Sequence, residues 1–130
     1  MIPKYRVFDT VKKAMSEVQA IVYTEEKVYP IYSKKIRRYI PFSEAIIMQS
    51  TGLFDKNDKE IFEFDIVEWE HKDTGQFVRG IVKYDTEFGF WGMTDVRFND
   101  LRAIGYLANQ RVTVLGDVYQ NPELVEASND

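Results

Sequence analysis

The chain has 130 residues, about one domain, and its 45% hydrophobic and 15% aromatic content is enough to bury a modest core. A net charge of −4 and a pI near 5.1 exclude any global attraction to polyanions. Cysteine is absent, which removes disulfides, thiolate nucleophiles and cysteine metal sites and fits a reducing cytoplasm; no apolar run approaches the roughly eighteen residues of a membrane span.

In chain order, strand patterns outnumber helical ones. Tyr5, Val7 and Asp9 alternate against Arg6 and Phe8, and Val18 to Tyr23 is an apolar run rich in β-branched residues, so the polar loop between them predicts a hairpin. Val28 to Tyr32 is aromatic and extended, but Pro30 lacks a ladder donor and predicts an edge strand or an irregular segment. Arg37 to Ile40 and Ala45 to Gln49 are short candidates punctuated by Pro41-Phe42-Ser43-Glu44, so that residues 1–44 read as a β-meander extension. Asp55-Lys56-Asn57-Asp58 reads as a turn, Ile66 to Glu70 as a strand, Phe77 to Asp85 as its partner after Asp73-Thr74-Gly75, and Phe88 to Met93 as a third strand. Asp100 to Ile104 suits a strand or one helical turn, and Arg111 to Tyr119 a late strand. Asn121-Pro122 supplies an N-cap and first-turn proline for a short terminal helix, and residues 127–130 are expected to fray.

The stretch from Met48 to Val67 orders its turn residues and apolar anchors in a way that resembles the signature of the YopX family, small proteins of phages and prophages. Lys4 to Asp9 with Lys12 to Met15 resembles the family's opening hairpin, and Val114 to Leu124 its closing motif, so the likeness spans nearly the whole chain. It carries no activity with it, because the family has no established biochemical function. Members usually have glycine where this chain has Asp58 and Phe64. Asp tolerates positive φ in a tight turn, whereas Phe there is strained, so residue 64 is expected either to be extended or to pack its ring on something the usual members lack. Strand spacing, Gly80 at a bend and the aromatics Phe88, Phe90 and Trp91 suit an SH3-like small barrel over about 45–120, and the resemblance implies the same. The expected architecture is thus a single mainly β domain over 1–126: a β extension, the barrel and a C-terminal helical turn.

Catalytic and metal motifs fail on inspection. His71 is a loop residue, and no serine sits in a nucleophile elbow. Glu63, Asp65, Glu68, Asp85 and Glu87 are candidates for an acid/base pair, yet charges on a sheet normally face solvent, and Asp65 at a strand entry suits a turn cap. The segment from Asp55 begins like a calcium loop but has Glu60 where glycine belongs and Ile66 where a bidentate Glu belongs. No cofactor and no metal is implied.

Binding remains. The aromatics Tyr29, Tyr32, Tyr39, Trp69, Tyr84, Phe88, Phe90 and Trp91 offer anchors for a protein interface with a phage or host protein or a second copy, with Trp69, Phe90 and Trp91 better suited to the core. The alternative is a nucleic-acid accessory role through Tyr32, Lys34, Lys35, Arg37, Arg38 and Tyr39, where four positive charges lie beside two rings. The expectation is a non-catalytic, cytoplasmic, phage-derived binding protein.

Overall fold

In the computed structural model, the described residues are 2–31, 37–71, 73–87, 89–95, 101–102 and 111–126, and the chain divides into two compact units, 1–50 and 51–130. It is mainly β, as the alternation predicts.

The first unit is an antiparallel sheet of β1 (Tyr5–Asp9), β2 (Ala14–Val22), β3 (Lys27–Pro30), β4 (Ile40–Pro41) and the first half of β5 (Ala45–Phe54), in the order β4-β3-β2-β1-β5. The β1–β2 turn closes through Lys13 at φ 55°, whose N–H donates to the Asp9 carbonyl at 2.8 Å. Val7, Val28 and Ile40 are fully buried, with Val18, Ile21, Phe42, Ala45 and Ile47 packed around them.

Pro30 departs in part from expectation, because β3 is flanked on both sides. The two-residue β4 pairs only with Lys27 and Val28, so Pro30 lies beyond it and its missing donor costs no ladder bond there. On the other side, Val18 faces Pro30 and Ala20 faces Tyr29, which leaves Gln19 as the extra residue of a β-bulge.

The second unit holds the end of β5, with β6 (Glu60–Phe62) as its neighbour, and a five-stranded antiparallel sheet. That sheet comprises β7 (Asp65–Glu70), β8 (Phe77–Asp85), β9 (Phe90–Asp95), β10 (Leu101–Arg102) and β11 (Thr113–Asp117) in the order β10-β9-β8-β7-β11, and α1 (Glu123–Glu126) follows. Among the described residues β10 and β11 are its two ends and no pairing joins them, so the expected closed barrel is met only as far as an antiparallel sheet.

Ile61, Val67, Trp69, Val78, Val82, Met93 and Val112 form the core here, with Leu53, Trp91 and Val114 against it. Both tryptophans face inward, as expected. Gly80 lies opposite Val67, one step from Trp69, and a Cβ there would sit 2.9 Å from Trp69 Cζ3 and 3.0 Å from the Thr94 carbonyl oxygen. The glycine is therefore required by close approach.

Residues 58 and 64 both occupy the left-handed region, at φ 63° and 66°. Phe64 is held there by its own N–H, which donates to the Val82 carbonyl at 2.8 Å, and by its carbonyl, which accepts from Val118 N–H at 3.1 Å. Its ring meets Tyr119 edge to face, 5.9 Å between centroids at 89°. Of the two expectations for this residue, the backbone is not extended and the ring has found a partner.

Candidate binding site

Of the six residues singled out in the basic-aromatic segment, Arg37, Arg38 and Tyr39 are described, while Tyr32, Lys34 and Lys35 lie outside the described residues. The two arginines have different surroundings. Arg37 Nε and Nη2 donate to the two oxygens of Asp9, each at 2.8 Å, and Nη1 donates to Glu44 at 2.9 Å. Asp9 is 1% exposed and also accepts the N–H groups of Val11 and Lys12. Burial alone would push its carboxyl up; the Arg37 guanidinium and the two backbone donors outweigh that and hold it below its ordinary value. The same pairing raises Arg37 against the opposing effect of burial. Arg37 thus joins the end of β1 to the turn before β5, and its charge is compensated.

Arg38 is exposed and makes no ion pair among the described residues. It lines a pocket of about 310 Å³ with Gln19, Tyr29, Pro30 and Arg37, all within the first unit. Gln19 reaches it from the bulge of β2, and Tyr29 and Pro30 from the facing end of β3. The Tyr29 hydroxyl donates to Glu25 Oε1 at 3.0 Å, a bond to a carboxylate that raises the phenol above its ordinary value. The Tyr29 and Tyr39 rings lie 6.2 Å apart, tilted by 48°, and Lys27 Nζ sits 4.3 Å from the Tyr39 centroid. Sequence reasoning missed Gln19, Lys27 and the Asp9–Arg37 pair. The Asp9 turn had a local signal, but its partner lies 28 residues away, with none.

Three of the five acids that are candidates for acid/base chemistry, Asp65, Glu68 and Asp85, have partners of their own. Asp65, 1% exposed, accepts the Phe62 N–H at 2.8 Å, the cap expected of it. Glu68 pairs with Arg79 across the β7–β8 ladder at 3.3 Å, and Asp85 accepts the Glu87 N–H at 2.8 Å. Asp55 Oδ1 accepts from Asn57 and Lys59, and its Oδ2 from Val114 at 3.0 Å. Burial raises Asp55, yet those three donors together with Lys59 hold it below the usual range. His71 is exposed, and its Nδ1 accepts the Asp73 N–H at 3.3 Å. Among the described residues no three His, Asp or Glu side chains gather as metal ligands, and no helix is long and apolar enough to cross a membrane.

Among solved structures, protein EF1440 from Enterococcus faecalis is similar at 29% identity and a TM-score of 0.68, with 96% of this chain and 99% of that one covered. Protein yopX from Bacillus subtilis is 24% identical at a TM-score of 0.61, covering 94% and 95%, a likeness of fold. No curated protein matches the chain. The family described as YopX protein matches residues 4–126, from just before the first strand to the last residue of α1, and the chain therefore belongs to the YopX family.

Proposed function

We propose that this protein is a non-catalytic interaction module, encoded by a phage or prophage and acting in the cytoplasm of its bacterial host, that binds a protein partner through the first unit. The observation that carries the reading is the contrast between two sets of side chains. The buried acids Asp9, Asp55 and Asp65 are committed to backbone donors, whereas Arg38 lies exposed in the lining of a pocket, the exposed Tyr39 meets the pocket's Tyr29, and Ile31, next in sequence to Pro30, is 47% exposed. An arginine and tyrosines on a firm sheet are the residue types that anchor protein interfaces. Tyr32, Lys34 and Lys35 adjoin them in sequence and extend the same surface in this reading. An SH3-like closure of the second unit is part of the proposal, supported by the long β8 pairing with both β7 and β9 and by the register shift in β11.

The test is crosslinked affinity capture from bacteria carrying the phage, run in parallel with the double variant Arg38→Glu, Tyr39→Ala and with sedimentation of the purified protein. The expected result is one recurrent partner, or a dimer, that the variant loses while still folded. A monomer with no partner overturns the reading, as does a partner retained by the variant.

A further inference from the structure

We propose that the pocket formed by Gln19, Tyr29, Pro30 and Arg38 receives a carboxylate side chain from an acidic segment of the partner protein. The inference rests on the interaction-module reading and specifies the chemistry of its site. The local charge balance is the first argument. Asp9 and Glu44 are both engaged by Arg37, and Glu25 accepts from Tyr29, so the acids held by the other pocket-lining residues already have donors, whereas Arg38 has no such partner among the described residues. A guanidinium in that state has donors free in the fork geometry that matches one carboxylate.

The walls supply the second argument. The bulge falls at Gln19, which lines the pocket together with Arg38, while Pro30 and Tyr29 line it with apolar surface for the methylenes of a glutamate. A volume of about 310 Å³ is at the small end of ligand sites and suits a side chain.

The charge that lines the pocket matches one carboxylate rather than a run of phosphates; Lys34 and Lys35 lie outside the described residues. Affinity for a polyanion grows with the number of phosphates neutralised, and among the described residues that line the pocket the compensation of Arg37 leaves Arg38 as the one uncompensated charge. The net charge of −4 repels a long polyanion, whereas a short acidic segment meets mainly the local field.

The experiment titrates ¹⁵N-labelled protein with a capped pentapeptide of four glutamates around a leucine, with the glutamine counterpart, and with a twelve-nucleotide oligothymidylate. The glutamate peptide is expected to shift the amides of Gln19, Tyr29 and Arg38 with a dissociation constant on the order of 1 mM. The glutamine peptide, and the folded variant Arg38→Gln with the glutamate peptide, are expected to bind roughly tenfold more weakly. Equal binding of the two peptides, no loss in Arg38→Gln, no binding at all, or tighter binding of the oligothymidylate at these amides would each overturn the assignment. Such a failure leaves the module reading to be judged by the capture experiment, which asks only whether a partner or a dimer is lost when Arg38 and Tyr39 are replaced.

Discussion

Replacing Phe64 by glycine and, separately, by alanine isolates the energetic consequence of its left-handed backbone. Both variants lose the edge-to-face contact with Tyr119, about 0.5–1.5 kcal/mol, and about 1 kcal/mol of burial for a half-buried ring. Alanine keeps the conformational strain of an L-residue at φ 66°, roughly 1–2 kcal/mol, whereas glycine removes it and in exchange adds about 0.5–1 kcal/mol of unfolded-state entropy. The totals are about 1.5–2.5 kcal/mol of destabilisation for Phe64→Ala and about 1 kcal/mol for Phe64→Gly. The ring terms cancel in the comparison of the two. Glycine should therefore exceed alanine by roughly 0.5–1 kcal/mol, the reverse of the ordinary order in a strand or helix.

Urea denaturation of both variants with a common slope gives the difference directly. A double-mutant cycle with Tyr119→Leu should return a coupling of about 0.5–1.5 kcal/mol for the ring pair. If the alanine variant proves more stable than the glycine variant by half a kilocalorie or more, residue 64 is not held in the left-handed region. The account of how this chain accommodates a phenylalanine there then fails.

Arg37→Ala should destabilise the protein by about 2–3 kcal/mol, the cost of leaving Asp9 buried with no counter-ion and reduced by the partial exposure of the pair, whereas Arg38→Ala should stay within about 0.5 kcal/mol; thermal melts compare them. Gly80→Ala should cost about 1–3 kcal/mol, because the Thr94 backbone and the Trp69 ring must both give way, and Trp69 fluorescence should change with it. Asp9 and Asp55 both have lowered pKa values in the folded state, so between those values and the ordinary one near 3.9 the unfolded chain binds more protons. Their stabilisation is complete above about pH 5 and is lost as pH falls through the folded values; the urea midpoint should drop across that range, and the drop should be smaller in Asp9→Asn, Asp55→Asn.

The parts of the fold that the sequence made legible are those where local chemistry decides. Alternation with Asp73-Thr74-Gly75 located the β7–β8 hairpin, and the acid at the entry to β7 foretold the cap that Asp65 makes to Phe62. Asn121 shows where local reading stops. Its side chain, expected to cap α1, has its Oδ1 turned back to accept the Asp117 N–H at 3.2 Å, because Gly116 has no Cβ to occupy the space that Asn121 fills. The double flanking of β3 depended on a two-residue strand with no periodicity to detect. In the site itself, Arg37 and Arg38 are indistinguishable as neighbours in sequence; only the partners brought in by β1 and the turn before β5 separate the one that ties the unit together from the one facing the pocket.

Those tying interactions repeat one device through the chain. Asp9 ends β1, Asp117 ends β11, and Asp55 follows β5; each has a side-chain oxygen that accepts the N–H two residues on, and for Asp9 and Asp117 the third as well. A buried carboxylate is ordinarily a place to look for acid/base chemistry, since burial raises its proton affinity. At Asp9 and Asp55 the direction is reversed: the Arg37 guanidinium at Asp9, together with the donors that close each turn, stabilises the anion more than burial destabilises it. A general base working near neutrality needs its affinity for protons raised toward 7, so an aspartate that completes its turn in this way is made a poorer base by the same hydrogen bonds that make it a good cap. Protonating it would break the turn that positions the strands. For these residues turn closure and proton transfer are competing uses of the same lone pairs, so the acids serve each unit's own turns, and the proposed recognition is left to the arginine and the tyrosines.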